Sequence, residues 1–393
     1  MVKYHPKMKT VYLDHNSTTP LHPKVLEAML PYFKEGFGNA SSIHHKGRET
    51  RDAVEKARET IAHLLETEPK CIYFTSGGTE SNNFTFKGVA YKNREKGRHV
   101  VTTRIEHPCV LDTSHFLEQL GFEVTYLPVD RTGQIALKDL KKALTDKTIL
   151  VSMMHANNEV GTIQPVAEAA KIVKERGILF HTDAVQAFGK IPVKVDALGV
   201  DLLSISAHKF YGPKGVGFLY IRKGTRIAPH QHGGHHERGL RAGTENVAGI
   251  VGMARAAELA HQEMDKRLIH LKRLQEKFYR GILESVPDVV LNGHPTERIP
   301  GTVNLGFKGV EGEALTINLD LKGICVSTGS ACTAGSLEPS HVLVAMGVPQ
   351  EVARGTVRFS LGCENTEEEI DYCLKEVPAV VKKLRQIIGA HAK

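Results

Sequence analysis

Short apolar runs alternate with amphipathic segments from about residue 70 to residue 221. The apolar runs have the length of buried strands, and the segments between them repeat their apolar positions with the period of a helix. The predicted strands are 71–75, 99–103, 123–127, 149–155, 178–183, 202–207 and 217–221. The predicted helices between them are 80–94, 110–120, 137–144 and 166–175. This alternation predicts an α/β fold whose mostly parallel seven-stranded sheet carries helices on both faces.

The pattern changes near Asn246, where a long helical stretch begins. Its apolar positions recur every three or four residues, as expected of a stripe that faces a core. They are Met264, Leu268, Leu271, Leu274, Phe278 and Ile282. A short strand at 303–306 and a C-terminal helix at 366–388 follow. We therefore predict a large domain over 20–262 and a smaller α+β domain formed by 1–19 and 263–393.

Composition places the chain among ordinary globular proteins. Of its 393 residues, 41% are hydrophobic and 24% are charged, which is the usual balance for a folded domain. No apolar run reaches the length of a membrane span, and the first ten residues lack the apolar core of a signal peptide. The sequence therefore predicts a cytoplasmic protein with no membrane partner.

The charges and cysteines exclude two further classes. The net charge of +7 comes from scattered lysines and arginines, so a solvated basic surface is favoured over a nucleic-acid interface. The excess still suits anionic ligands or an acidic protein partner. The six cysteines include no C-x-x-C pair, and they are too few for a disulfide scaffold. They are predicted to be reduced thiols, of which one can be catalytic.

Polar residues follow the predicted strands, at the edge where open parallel sheets bind ligands. After the first strand, the segment TSGGTESN at 75–82 begins a helix. Its backbone N–H groups and Thr79 can hold a phosphate there, or Thr79 can simply cap the helix. His107 follows the strand at 99–103 and can stack on an aromatic ligand or move a proton, although a lone histidine is more often structural.

Amide and acidic side chains follow the next strands. Asn157 and Asn158 come after 149–155 and can fix a ligand oxygen or form a turn. Asp183 ends an apolar strand, and a buried carboxylate there needs a partner. A protonated pyridine nitrogen would be one, with Gln186 near the ring oxygen. The alternative for Asp183 is a helix cap.

The strand at 202–207 leads into Ser206, His208 and Lys209. A desolvated lysine at a strand end can form a Schiff base, and Ser206 and His208 can contact a phosphate. Lys214 is the rival lysine, in a glycine–proline turn. Taken together, the strand-end residues predict a pyridoxal-phosphate site.

Three segments lie outside the sheet. Thr244 opens the long helical stretch and can bind phosphate, serve a second subunit or act as a cap. Cys332 lies in a loop rich in glycine, serine and threonine, where a thiol is exposed and reactive. The histidines between 230 and 236 lack regular ligand spacing, so a solvent loop is favoured there and no metal site is predicted.

The chain resembles the class V aminotransferase family with the type I pyridoxal-phosphate fold. Within it, the sequence looks like the cysteine desulfurases that feed iron–sulfur cluster and nitrogenase assembly. The likeness runs from YLDHNSTTP at 12–20 to RFSLG at 358–362, and includes SAHK at 206–209 and GSACT at 329–333. The resemblance implies conversion of L-cysteine to L-alanine by a homodimer.

The resemblance also implies residue roles. Lys209 would hold the cofactor and shuttle the Cα proton, and Cys332 would accept the sulfur as a persulfide. His107 would stack on the ring. The other cofactor contacts would be Gly78, Thr79, Asn158, Asp183, Gln186, Ser206, His208 and, from the partner subunit, Thr244. Asn39 and Arg358 would bind the substrate carboxylate.

Partners and alternatives remain open. The sulfur acceptor would be an iron–sulfur scaffold protein or another carrier, and Cys332 could ligate a cluster in such a complex. The chain ends soon after its last helix, which favours the nitrogenase-type branch. Rival functions are a selenocysteine lyase or an aminotransferase of the same fold, and a non-catalytic sulfur or metal carrier.

Overall fold

A computed structural model describes residues 10–328 and 339–391, with side chains described as far as residue 387. The strands in these ranges are β1 (Val11–Tyr12), β2 (Ile72–Thr75), β3 (His99–Thr103), β4 (Glu123–Leu127), β5 (Thr148–Ser152), β6 (Leu179–Asp183), β7 (Leu202–Ser206), β8 (Gly217–Ile221), β9 (Val289–Asn292), β10 (Thr302–Phe307), β11 (Ile324–Cys325) and β12 (Thr356–Ser360). The α-helices are α1 (Pro23–Lys34), α2 (His45–Leu65), α3 (Gly78–Asn93), α4 (Pro108–Gln119), α5 (Leu137–Ala143), α6 (Val166–Lys174), α7 (Val195–Leu198), α8 (Val247–Gln262), α9 (Met264–Ser285), α10 (Gly312–Asp320), α11 (His341–Ala345), α12 (Gln350–Arg354) and α13 (Glu367–His391).

Seven strands form the central sheet in the order β2-β8-β7-β6-β5-β3-β4. The pairs from β4 to β7 are parallel, because a helical crossover returns each strand to the same end of the sheet. Strand β8 is antiparallel to both neighbours, since only a short connection, 207–216, separates it from β7. The predicted α/β fold with a mostly parallel seven-stranded sheet is confirmed.

Both faces of this sheet are buried. Val101, Val151 and Phe218 point to one side, where α1, α2, α6 and α8 contribute apolar residues. Alternate residues of the same strands, such as Val100 and Leu150, pack on the other side against α3 and α4. Within the described ranges, no helix combines the length and hydropathy needed to cross a membrane.

A second hydrophobic cluster surrounds the antiparallel sheet β12-β10-β9. Helices α9, α10 and α13 cover it, and the N-terminal arm joins it because β1 pairs in parallel with β11. The predicted long helical stretch is two helices, α8 and α9, separated at Glu263. The apolar stripe of α9 is packed in this cluster through Leu271, Leu274, Phe278 and Ile282.

Candidate active site

Lys209 lies at the carboxyl edge of the central sheet, in a short 3-10 helix (Ala207–Lys209) directly after β7. The N-terminal arm crosses this edge, held by the bonds from Thr19 to the carbonyl oxygen of His208. Lys209 Nζ donates to the carbonyl oxygens of Asn16 at 2.5 Å and Ser17 at 2.8 Å. The rival Lys214 is exposed on the following turn. The arm therefore defines where the Lys209 amine rests.

Asp183 ends β6, which lies between β5 and β7 in the sheet, and is only 6% exposed. One carboxylate oxygen accepts from Asn82 Nδ2 at 2.6 Å, and the other accepts from the Val185 amide at 2.9 Å. Asn82 projects from α3 and is fully buried. These two donors fix the carboxylate orientation at the sheet edge, where a cationic ring nitrogen would complete its environment.

His107 is the N-cap residue of α4. Its Nδ1 accepts from the Cys109 amide at 3.2 Å and lies 3.1 Å from Cys109 Sγ. Burial lowers the pKa of His107, with the Lys209 charge acting in the same direction and Asp183 opposing it. Burial and Asp183 raise the pKa of the Cys109 thiol to about 12. The imidazole is therefore neutral, and its acceptor Nδ1 leaves the proton on Nε2.

The start of α3 forms a cradle that could hold an anion. Its N-cap, Gly77, has φ 148° and provides no side-chain cap, so the first-turn amides remain available to a ligand. A Cβ on Gly78 would lie 2.7 Å from Val185 Cγ2, and one on Gly77 would lie 3.3 Å from Ser206 Oγ. Because neither glycine carries a Cβ, the start of α3, which includes Thr79, can lie against the ends of β6 and β7 beside Ser206.

His208 stands next to Lys209 and is turned towards the arm. Its Nδ1 lies 3.1 Å from Thr18 Oγ1. Burial, together with the charges of Lys209 and Lys214, lowers the pKa of His208 to about 4. The ring is therefore neutral near pH 7, and it could contact a ligand through hydrogen bonds rather than charge.

Two ion pairs, absent from the sequence-based prediction, hold this cradle in place. Arg241 binds both oxygens of Glu80, at 2.7 and 3.0 Å, and Glu80 also accepts from the Ser76 amide at 2.7 Å. Arg58 binds both oxygens of Glu237 at 2.8 Å, with both side chains buried. The segment 237–241, which leads to Thr244, is therefore bound to α3 through Arg241 and to α2 through Glu237.

The two amides after β5 differ in role. Asn157 is fully buried, and its Oδ1 accepts from the amides of Glu159 and Val160, so it shapes the turn. Asn158 is half-buried, and its carbonyl oxygen accepts from Asn16 Nδ2 at 3.1 Å and Arg358 Nη1 at 3.0 Å. Asn158 therefore remains the candidate for contact with a ligand.

Arg358, on β12, brings a guanidinium from the second cluster to the arm. Its Nη2 donates to Asp14 Oδ1 at 2.8 Å and to Ser17 Oγ at 2.6 Å, and the residue is 2% exposed. Since Ser17 also accepts from Lys209 through its carbonyl oxygen, the structure brings Arg358 and Lys209 to the same short segment of the arm, residues 14–17.

Asn39 and Thr244 lie together at another place on the chain. Both are exposed and line a cavity of about 630 Å³ with Arg51 and Arg58. Asn39 Oδ1 accepts from the Ser41 amide at 2.8 Å within a turn. The joint binding of a substrate carboxylate by Asn39 and Arg358 stays a prediction.

Cys332 lies outside the described residues, but the chain on either side of its segment is anchored at the candidate site. Ser327 exchanges backbone hydrogen bonds with Arg358 at 2.7 and 3.2 Å. On the other side, Ser340 Oγ donates to Glu159 at 2.5 Å, and His341 Nε2 lies 2.9 Å from the Glu106 carbonyl oxygen. The described residues on both sides of 329–338 therefore lie at this site.

The histidine-rich segment has structural contacts. His230 stacks on Phe84 with ring centroids 5.2 Å apart, and burial lowers its pKa. His236 Nδ1 accepts from the Gly243 amide at 3.3 Å. In the parts of the chain that the structure covers, no three His, Cys, Asp or Glu side chains are grouped as metal ligands.

The chain belongs to the class V aminotransferase family, whose family model matches residues 11–373. It is 58% identical over 379 residues to the cysteine desulfurase IscS of Dictyoglomus turgidum, and the match covers 96% of each chain. A solved NifS-like protein shares 44% identity with a TM-score of 0.90, over 95% of this chain and 100% of that one. The structure of SspA in complex with cysteine shares 37% identity with a TM-score of 0.80, over 91% and 100%. These matches confirm the resemblance and the fold.

Proposed function

We propose that this chain is a pyridoxal-phosphate-dependent cysteine desulfurase that converts L-cysteine to L-alanine and places the sulfur on Cys332 as a persulfide. The observation that carries this proposal is the meeting of Lys209, Asp183 and the uncapped start of α3 at one sheet edge, with Arg358 beside them. The desulfurase names of relatives that match nearly the whole chain support it.

The residues at the sheet edge fit pyridoxal phosphate. When bound, this cofactor supplies an aldehyde that reacts with an amine and a ring that accepts electrons. Asp183 would face the pyridine nitrogen, and His107, neutral at pH 7, would lie against the ring. Gln186 and Asn158 would be near the ring oxygen. The phosphate contacts would be Gly78, Thr79, Ser206 and His208, with Thr244 contributed by a second chain.

The proposed roles of Lys209 and Arg358 follow from where the arm holds them. Arg358 would bind the substrate carboxylate through two parallel hydrogen bonds, exchanging its present contacts with Asp14 and Ser17, and Asn39 of an assembled dimer would add an amide. Lys209 would remove and return the Cα proton, since its amine lies beside the same arm. Fixed placement of both groups supplies much of the acceleration expected of such a site.

The sulfur step needs a nucleophile of the chain itself. Cys332 thiolate would attack the sulfur of the bound cysteine. The carbon–sulfur bond then breaks, its electron pair stays with the substrate carbon, and that carbon takes a proton. L-cysteine and the Cys332 thiol thereby become L-alanine and a Cys332 persulfide, and no outside oxidant or reductant is consumed. Reduction or transfer of the persulfide to an acceptor restores the thiol.

A second copy of the chain is the proposed occupant of an apolar surface on α1 and the chain after it. Leu26, Leu30, Phe33, Phe37 and Ile43 are exposed there, and Asn39 lies between the last two. A homodimer would cover this patch and bring Asn39 and Thr244 towards a partner's site. Sedimentation equilibrium is expected to give twice the chain mass; a monomer at micromolar concentration would contradict this.

We also propose a cytoplasmic location and a protein that accepts the sulfur. The described cysteines, Cys71, Cys109, Cys325, Cys363 and Cys373, are free thiols, which supports a reducing, cytoplasmic setting. The acceptor would be an iron–sulfur scaffold protein or another sulfur carrier, and a cluster bound at Cys332 would arise only in such a complex.

The proposed function is tested with purified protein, pyridoxal phosphate and L-cysteine. We expect stoichiometric alanine and, with a reductant present, an equal amount of sulfide. An aminotransferase would instead form a keto acid, and a selenocysteine lyase would use selenocysteine while leaving cysteine nearly untouched. A carrier without catalysis would form no alanine, so the measurement separates all of these functions.

Glu80→Gln is expected to weaken binding of pyridoxal phosphate to the apoprotein about tenfold, equivalent to about 1.4 kcal/mol. The reason is that the neutral amide loses the charged pair with Arg241 that holds the cradle. Fluorescence titration of the apoprotein measures the change. Glu68→Gln serves as the matched control, because Glu68 forms an exposed pair with Lys70 away from the cradle. Equal affinities of the two variants would refute the positioning role of Glu80.

A further inference from the structure

Glu106 is a fully buried carboxylic acid directly before His107. The residue is 0% exposed. One oxygen, Oε1, accepts from Thr103 Oγ1 at 2.7 Å and from the Met154 amide at 2.9 Å. The other oxygen, Oε2, is buried and has no hydrogen-bond partner among the residues that the structure describes. The proposed function gives this acid no role, although it borders the candidate site.

The Glu106 side chain joins two loops that carry candidate site residues. Through Oε1 it binds the loop after β3, which carries His107, to Met154 in the loop after β5. A second hydrogen bond joins the same two loops in the other direction, because Asn157 Nδ2 donates to the Ile105 carbonyl oxygen at 3.0 Å. The two loops are therefore held together by one side chain from each.

The Glu106 backbone contacts a third element. Its carbonyl oxygen lies 2.9 Å from Nε2 of His341, the first residue of α11. Ile105, Met154 and Val342 belong to one buried apolar cluster at this place. The acid therefore lies in surroundings of low polarity, where an ionised carboxylate with one unpaired oxygen is costly.

The charge state of Glu106 follows from this burial. Burial first, with the Asp183 charge acting in the same direction, raises the pKa of the Glu106 carboxyl group to about 8, and its two hydrogen bonds oppose the rise. The other titratable groups nearby are His107 and Cys109 at the start of α4, and His341 on α11. Near pH 7 the carboxyl group is therefore mostly uncharged.

We propose that Glu106 is a positioning residue for His107: as an uncharged acid, it holds the turn that carries the imidazole against the loop after β5. The inference rests on the proposed function, in which His107 lies against the cofactor ring. If Glu106 acts through His107, its loss should have no further effect once the imidazole is removed. Glutamine should replace it, because the same carbonyl oxygen can accept both hydrogen bonds.

The first test measures the affinity of the apoprotein for pyridoxal phosphate by fluorescence titration. Glu106→Met fills the space of the acid but accepts neither hydrogen bond, and should weaken binding about tenfold. In a His107→Ala background the same change should alter affinity by less than about twofold, because only independent effects add. Glu106→Gln should keep the wild-type affinity. Glu95→Gln is the control, since Glu95 is exposed and lies outside the site.

The second test needs no cofactor. Between about pH 5 and pH 8 the unfolded chain ionises Glu106 while the folded chain retains its proton, so this group lowers stability as pH rises. Glu106→Gln removes that dependence. The Tm of this variant, relative to wild-type apoprotein, should therefore rise by about 2 °C or more over the same interval. Glu95→Gln should show no such trend.

The outcomes separate failure of this inference from failure of the proposed function. Wild-type apoprotein that binds no pyridoxal phosphate refutes the proposed function, and this inference with it. With normal wild-type binding, an equal loss for Glu106→Met in both backgrounds refutes action through His107, and a Tm difference independent of pH refutes the uncharged acid. A loss confined to proteins that retain His107, restored by glutamine, supports the inference.

A milder variant keeps the test decisive if Glu106→Met does not fold. Thr103→Val removes one of the two donors to Oε1 and leaves the bond from Met154. It should weaken cofactor binding when His107 is present and leave affinity unchanged in the His107→Ala background. Equal losses in the two backgrounds would overturn the inference in this variant as well.

Discussion

Replacing Lys209 by alanine lowers kcat/KM for alanine formation by on the order of 10³ or more. The variant would lose both the amine proposed to hold the cofactor and the group proposed to move the Cα proton. Its hydrogen bonds to Asn16 and Ser17 are lost as well, but those carbonyl oxygens belong to an arm that Asp14, Thr19 and the β1–β11 pair still anchor. The fold should therefore survive.

Lys214→Ala is the matched control, because Lys214 is the exposed lysine on the next turn and should leave alanine formation within twofold of wild type. Alanine formation by initial rates, with circular dichroism to verify folding, decides the outcome. Should the Lys209 variant retain near wild-type activity while Lys214→Ala loses it, the assignment of the two lysines is reversed.

Cys332→Ser should bind pyridoxal phosphate with wild-type absorbance and yet release almost no sulfide. A serine hydroxyl is a far weaker nucleophile than a thiolate at neutral pH, so the carbon–sulfur bond is not attacked. Loss of sulfide release on the order of 10²-fold or more is expected. The proposed cofactor contacts on the central sheet should be unchanged, because Lys209, Asp183 and the α3 cradle do not include Cys332.

Cys325→Ser provides the comparison for this variant. Cys325 is the half-buried residue that ends β11, and its replacement should leave the sulfide yield intact. Sulfide assay under reductant, beside a spectrum of each variant, gives the two readouts. Full sulfide release by Cys332→Ser would contradict a persulfide on this residue, whereas loss of the cofactor spectrum would point to a structural role.

Strand positions were predictable because short strand-forming runs alternate with longer segments of helical period. Strands 99–103, 123–127 and 217–221 have the predicted bounds. The break between α8 and α9 was not predicted. Glu263 leaves the helical conformation there, with φ −103° and ψ 5°, but neither glycine nor proline marks the place. Backbone turns without such residues leave little trace in a hydrophobic pattern.

The candidate site was predictable as far as the sheet determines it. Asp183, Ser206 and Lys209 follow strands that end at one edge, so strand assignment alone brings them together. Asn82 points to Asp183 from a helix, and Asn16 and Lys190 meet through contacts 174 residues apart in sequence. Such contacts depend on side-chain directions and on the path of the arm.

Arg358 could not be found from local sequence either. It is far in sequence from the other site residues, and only the family resemblance indicated it as a candidate. In the structure it reaches the site because β12 pairs with β10 and the arm bridges to Ser360. That geometry arises from the second hydrophobic cluster, whose assembly is not visible in any short segment.

The central claim is that sulfur leaves cysteine for Cys332 on a protein that carries pyridoxal phosphate. The most direct measurement is a single turnover without reductant, in which alanine is quantified and the Cys332 peptide is weighed by mass spectrometry. The account predicts one alanine per chain and a Cys332 peptide heavier by the mass of one sulfur atom. Alanine formed while the Cys332 peptide keeps its original mass would contradict it.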